Sequence, residues 1–512
     1  MRGQGKRTVK AVRWTRWGLV SLTVLIVASL LAPSAGMSDV SHMRLPAVVD
    51  TNPVSRLQAM AVAGESSAIS PMPTSSGVRV GPNIQVFDNR RPQNEIAIAA
   101  NPSDAGNLVI GSNDYRLRDI GASVWAGVYT SFDGGRSWTA QLVPGYPGGP
   151  KGNLSSFQFG GDPIVGFDRS GSAYAGGIFF RGTSTGADIK DVTIALSRSD
   201  DGGQTWRDAV IVAPGKAQSV FNDHPQMTVD ATGSAYDGSV YISWTRFTGV
   251  GQIDIYVATS RDRGTTWSSS KVSGPTPQGD AQGYYQDSMV TIGPKGEVYA
   301  VWDEWFLLNG AFPRTKIWMA ASSDGGRSFS APWVAQEGVV PISLPNAPYR
   351  HDTYPVAAVD TSTGAYRGRL YLTWPDQRGG NADILLKSSD DGGKSWSDVR
   401  RVNDDAGTAA QFMQWVSVAP SGRVDISFYD RRDDPNDYLL NEYYAGSTDG
   451  GATFVNVRVS DVSSDPAVWP AFIGDYNQIA STAKAAHPAW TDMRNGMAGD
   501  RNQDAYTASV SA

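Results

Sequence analysis

The octapeptide Ser131-Phe-Asp133-Gly-Gly135-Arg-Ser137-Trp138 recurs along this chain, and no other feature narrows the possible folds so far. Further copies of Ser-x-Asp-x-Gly-x-Ser/Thr-Trp/Phe run from Ser199 to Trp206, Ser260 to Trp267, Ser322 to Phe329, Ser389 to Trp396 and Ser447 to Phe454. The aspartates (Asp133, Asp201, Asp262, Asp324, Asp391 and Asp449) are separated by 68, 61, 62, 67 and 58 residues. Self-similarity at such a period marks a repeat architecture. Alternating β-branched or aromatic runs such as Val124 to Thr130 and Ile253 to Thr259 precede the copies, so each octapeptide is a turn leaving a strand. Its glycine can take positive φ, its aspartate can accept backbone N–H groups across the turn, and its final aromatic ring can pack into apolar space.

This phrase is the Asp-box, and on its copies the chain resembles the bacterial sialidases and the BNR Asp-box repeat proteins. The resemblance implies an all-β chain folded as a β-propeller of four-stranded antiparallel blades. It makes the box a structural staple without catalytic function.

A second repeat sets the blade count. Polar or acidic starts precede the apolar strands at Asn94-Glu95, Gly161-Asp162, Asn222-Asp223, Gln286-Asp287, His351-Asp352, Met413-Gln414 and Gly474-Asp475. Second strands such as Val240 to Trp244, Val298 to Trp302, Leu370 to Trp374 and Val424 to Phe428 follow them. The last unit has no box, because Asp504-Ala-Tyr-Thr-Ala-Ser matches Asp254-Ile-Tyr-Val-Ala-Thr and the chain stops where the box would begin. Asn83 to Phe87 resembles a strand that follows a box and is expected to complete that unit, closing the ring without an open edge. Seven blades of about 62 residues over 81–512 are therefore expected. Six, the number in sialidases, is the alternative.

The first residues carry Arg2, Lys6, Arg7, Lys10, Arg13 and Arg16 ahead of the apolar run Trp17 to Ala32, which predicts an export signal over 1–36. The run is short for a spanning helix, so cleavage is favoured over an uncleaved anchor, with no membrane span left afterwards. Residues 37–80 are rich in Ser, Pro and Ala and read as a flexible stalk. The product is expected to be secreted, or held at the cell surface if the signal remains. Losing six positive charges from a net charge of −6 leaves −12, which argues against a nucleic-acid partner. The absence of cysteine excludes disulfides and thiol chemistry. A monomer is expected, with a glycan or glycoconjugate as partner.

Strand parity puts the starts of first strands and the ends of second strands on one face and the boxes on the other. The first face collects Glu95, Asp162, Asp223, Asp287, Asp352 and Asp475, with aromatic-Asp-Arg phrases ending in Arg116, Arg378, Arg432 and Arg494. Aromatic rings, carboxylates and guanidinium groups together suit a sugar, and an anionic one such as sialic acid in particular. The opposing reading is structural: an Asp-x-Arg pair repeated in most units can simply cross-link blades. By the sialidase resemblance, Arg91 and Arg116 match the substrate-gripping arginines, Asp119 the acid/base and Tyr476 the nucleophile. The glutamate that would assist Tyr476 has no recognisable match among Glu65, Glu95, Glu297, Glu304, Glu337 and Glu442. A tyrosine without a base is a poor nucleophile at neutral pH. No cofactor is expected: Asp430 to Asp437 is acidic enough for calcium but lacks EF-hand spacing, and His224 and His351 do not make a zinc site. Two functions follow, an exported sialidase-like glycoside hydrolase or a non-catalytic glycan- or protein-binding propeller.

Overall fold

The computed structural model describes residues 77–511 except 121–122, 183–190, 217–218, 249–251, 276–281 and 308–314. The expected signal at 1–36 and the stalk, up to residue 76, lie outside the described residues. Among the described residues the only helical segments are two short 3-10 turns, Arg116–Ile120 and Pro466–Val468, and no helix is long and apolar enough to cross a membrane.

Strands Gln93–Asn101, Asp104–Asp114, Trp125–Ser131 and Thr139–Leu142 form the first four-stranded antiparallel unit. The same meander runs from Phe159–Phe167 to Val210–Ala213, from Val220–Val229 to Ser268–Lys271 and from Gln282–Ile292 to Trp333–Val339. It runs again from Val356–Val359 to Arg400–Arg401 and from Gln411–Val418 to Val455–Arg458. The final unit contributes Gln478–Ser481, Ala486–Asp492 and Asp504–Thr507, and Ile84–Gln85 pairs with Tyr506–Thr507 as its outer strand. A parallel bridge between Ile96 and Asn477 joins the innermost strands of the first and final units. The sheets thus follow one another around a closed ring, a β-propeller, with each first strand on the axis.

The second strands carry the core. Trp244, Trp302, Trp374 and Trp490 sit at corresponding positions and are almost fully buried, as is Phe428. At 150–250 Å² per ring, each tryptophan contributes at most about 4–6 kcal/mol of apolar burial.

The octapeptide turns share one hydrogen-bond pattern. At Asp391, Oδ1 accepts from the backbone N–H groups of Lys394 (3.0 Å) and Ser395 (2.9 Å), while the Ser395 hydroxyl donates to Oδ2 at 2.6 Å. Ser389 Oγ donates to Asp391 at 2.8 Å and accepts from Gly393 N at 2.8 Å. In the first copy the Ser137 hydroxyl holds the Asp133 carboxyl down at about 2 against the opposing effect of burial, with further donors from Ser137 N, Ser131 and Arg136 N. Asp201, Asp262, Asp324 and Asp449 are bonded in the same way. The residue after the aspartate has positive φ throughout, which glycine supplies except in the third copy, where Arg263 has φ 58°.

Candidate functional site

The axis is built by a backbone irregularity repeated in the innermost strands. Pairing slips between Asn94 and Ala97, Gly161 and Ile164, Asp223 and Gln226, Gln286 and Met289, and Phe412 and Trp415. Two residues before each resumption stand Glu95, Asp162, His224, Asp287 and Met413, with φ of 55, 47, 50, 51 and 56°. Positive φ is uncommon outside glycine, and a bulge re-aims the side chain it carries. The same register puts Tyr354 and Tyr476 at this level in the other two units. His224 meets Tyr354 with ring centroids 6.0 Å apart and Tyr476 at 5.6 Å, although the three come from non-adjacent units. The axis is therefore plugged at this level.

Above the plug lies a small chamber lined by Asp162, Asp223, Asp287, Asp352, Asp475 and Arg350 among others. Its cavity volume is about 30 Å³, room for one or two water molecules. Arg350 reaches it from the irregular segment before Val356 and forms a two-pronged pair with Asp475, Nε to Oδ1 at 2.6 Å. Its Nη2 stands 4.0 Å from Glu95 Oε1. His224 Nδ1 lies 3.1 Å from Asp287 Oδ1, and His224 N donates to Asp162 Oδ2 at 3.2 Å.

Such crowding of carboxylates in a dry site moves protons onto them. Burial, then the Asp162 and Asp475 charges, raise Glu95 far above the carboxylate range. Burial and Asp162 push Asp223 up to about 7, against the pull of His224 and Arg350. Burial, Asp287 and Asp475 push Asp352 up to about 7. Beneath the wall Asp303 is raised strongly by burial and then by Asp287 and Asp352. Burial disfavours the His224 imidazolium, but Asp287 and Asp162 outweigh it and hold the ring at about 9. The chamber therefore sets carboxyls raised by burial and mutual repulsion beside two cationic groups, Arg350 and His224. Among the described residues no group of three or more His, Cys, Asp or Glu side chains is arranged to hold a metal ion.

The residues picked out by sequence fall in three places. Tyr476 is in the plug, fully buried, with its hydroxyl donating to Pro163 O at 3.1 Å. Burial, and then the charges of Glu95 and Asp162, raise its pKa strongly, so the phenol is neutral. Arg91 and Asp119 pair with each other at the exposed rim, Nε to Oδ1 at 2.8 Å. The remaining arginines are not gathered at the chamber. Arg116 is bonded to Asp114 (2.8 Å), Arg378 to Asp376 (2.9 Å), Arg432 to Asp430 (2.7 Å) and Arg494 to Asp492 (2.9 Å). Those aspartates are fully buried. Aromatic rings back several of the guanidinium groups, Phe87 at 4.3 Å from Arg116 and Tyr506 at 4.3 Å from Arg494. Each pair brackets its own unit, as expected of a motif that repeats with the fold.

In the Asp430 to Asp437 loop the oxygens are occupied by protein donors. Asp430 accepts from Arg432, Asp433 from Tyr443, and Asp434 from the backbone of Asn436, Tyr438 and Leu439. Sequence reasoning passed over Arg350, which stands alone in an irregular connection. Its one signal was its place two residues before Asp352.

No family model matches the chain, and no curated protein matches it. Among solved structures it is similar to a protein of unknown function from Dyadobacter fermentans, with TM-score 0.46 and 14% identity over 85% of this chain and 99% of that one. An α-L-arabinofuranosidase from Fusarium graminearum gives 0.48 and 13% over 75% and 99%. A Streptococcus pneumoniae sialidase gives 0.45 and 12% over 68% and 67%. Likenesses of this size assign neither substrate nor catalytic residue.

Proposed function

We propose that this chain is an exported, seven-bladed Asp-box propeller of the sialidase-like class that hydrolyses glycosidic bonds at the axial chamber, with Asp223 and Asp352 as its proton-transfer groups. One observation carries the reading: Asp223 and Asp352 line one water-sized chamber with the Arg350–Asp475 pair, and burial there lifts both carboxyls to about 7. Glycoside hydrolysis needs one carboxyl that is still protonated at working pH to protonate the leaving oxygen, and one carboxylate to activate water. In this role Arg350 holds Asp475 in place and supplies positive charge beside the reacting bond. The sialidase-type alternative uses Tyr476 with Glu95 beside it and Asp119 at the rim.

The test is turnover of a panel of fluorogenic α- and β-glycosides of neutral and anionic sugars by the wild-type protein and by Asp223→Asn, Asp352→Asn, Tyr476→Phe and Asp119→Asn. Loss at the two axial aspartates supports the proposal. Loss at Tyr476 and Asp119 alone transfers the site to the sialidase-type set.

A second reading rests on the volume of the chamber. Pockets that enclose small ligands run to roughly 300–1,000 Å³, so a 30 Å³ chamber engages only the edge of a sugar. A non-catalytic propeller that binds glycans across this face fits that dimension, and binding without turnover in any panel member would favour it.

A further inference from the structure

Two half-buried arginines at the junction of the first and final units have no carboxylate to answer them among the described residues. In the segment Asp114-Tyr-Arg116-Leu-Arg118-Asp119, Asp114 is taken by Arg116 and Asp119 by Arg91, which leaves Arg118. In Asp500-Arg501-Asn502, the Asp500 carboxylate accepts the backbone N–H groups of Met497 (2.8 Å) and Asn502 (2.9 Å), which leaves Arg501. Neither guanidinium has a hydrogen-bond or ion-pair partner among the described residues.

Both are nonetheless held in place. Arg118 lies over the Tyr115 ring at 4.6 Å and Arg501 over Trp469 at 5.3 Å. The two rings meet edge to face at 5.7 Å, so the cations share one aromatic base. Arg501 is also fixed by its backbone, with φ 64° and its N–H donating to Val468 O at 3.0 Å. The two charges sense each other: burial, then the proximity of Arg501 and Arg91, depress the Arg118 pKa, against the opposing pull of Tyr115. Like charges held together on a rigid base, with their donors unused, are a site short of an anion. Planar guanidinium forks match the oxygens of a carboxylate or a sulfate.

We infer that Arg118 and Arg501 form an anion subsite that takes an oxyanion substituent, a carboxylate or a sulfate ester, of a glycan lying across the axial face. Phe472 packs on Trp469 at 5.7 Å and carries Arg350 over its own ring at 4.9 Å, so this subsite adjoins the chamber wall. The anion chemistry stands on these residues alone, and only the identity of the carrier rests on the glycan reading above.

The experiment is binding to the full-length protein by calorimetry and thermal shift, at low and raised salt. The probes are inorganic sulfate, an oligogalacturonate, a sulfated oligosaccharide, a sialylated oligosaccharide and a neutral oligosaccharide. Arg118→Gln and Arg501→Gln are made singly and together, with circular dichroism as the check on folding, and Arg118→Lys keeps the charge without the fork. We expect anionic probes to bind and neutral ones not to, with salt weakening the binding. Each single variant should weaken it at least tenfold, the double variant should abolish it, and Arg118→Lys should fall between. A stronger response to uronate or to sulfate ester identifies the substituent, and a response to inorganic sulfate alone restricts the subsite to free anions and overturns the glycan carrier. Equal binding of neutral and anionic probes, or a folded double variant that binds like wild type, overturns the subsite. Anion binding with no turnover anywhere would keep the subsite and reject the hydrolase, whereas turnover that depends on Asp223 but is indifferent to both arginines would do the reverse.

Discussion

Replacing Asp223 by Asn should remove turnover and at the same time make the propeller more stable in alkali. Asp223 is buried, no described donor is bonded to its carboxylate, and burial with the Asp162 charge lifts it from an ordinary 3.8 to about 7. A raised carboxyl binds its proton more tightly in the folded state, so its stabilising contribution is complete below about 3.8 and is lost as pH climbs through 7. At about 1.36 kcal/mol per unit, the ceiling on that loss is about 4 kcal/mol. Removing one charge also relaxes Asp162 and Asp287, whose charges act on Asp223, so a net gain of about 1–3 kcal/mol is expected for the Asn variant above pH 8. With unfolding entropy near 2.1 cal/mol/K per residue over a propeller of this size, that is roughly 1–3 °C in Tm. The assay is thermal unfolding followed by circular dichroism from pH 4 to 9, with glycoside turnover measured on the same samples. The variant should match wild type at pH 4 and exceed it at pH 8.5. A variant less stable at pH 8.5, or shifted equally at both ends, would refute the protonation argument.

Other outcomes follow from the same contacts. Arg350→Met strips the cation from a cluster of buried acids and should cost about 3–5 kcal/mol, more at pH 8 than at pH 5, as read by denaturant unfolding at both pH values; a loss that does not depend on pH would contradict the role given to Arg350. In wild type, His224 at about 9 adds to the trend of Asp223 and Asp352, since its contribution is present below 6.5 and lost as pH rises through 9. Asp133 works the other way, losing its contribution as pH falls through about 2. A Tm maximum near pH 4–5 is therefore expected, and a maximum above pH 7 would count against the cluster. Arg263→Gly places the usual glycine in the one octapeptide that lacks it, at φ 58°, and should stabilise by up to about 1 kcal/mol in equilibrium unfolding.

The propeller was legible because its signals are local. The octapeptide writes its own turn, the alternating strands flank it, and the missing last copy pointed to Asn83–Phe87, of which Ile84–Gln85 does pair with Tyr506–Thr507. The axial acids were also legible as starts of first strands, but their levels were not. A bulge that shifts register by one residue leaves no mark in an apolar pattern, so Asp223 and Asp475 sit one residue before the level that His224 and Tyr476 occupy. The Asp-x-Arg phrases were conspicuous for a structural reason, since each arginine is held by a buried aspartate of its own unit. Arg350 and Arg501 were illegible because they come from irregular connections, where no periodicity tells which side chain turns inward.

The pH dependence of kcat/KM, for whichever glycoside is turned over, tests the role of the axial acids most directly. Essential groups of the free enzyme set the limbs of that profile. With Asp223 and Asp352 held at about 7, an alkaline limb is expected near 7, moving to lower pH when the acid that most raises Asp223 is neutralised by Asp162→Asn. A profile flat from pH 5 to 9, or turnover that survives in both Asp223→Asn and Asp352→Asn, would contradict it.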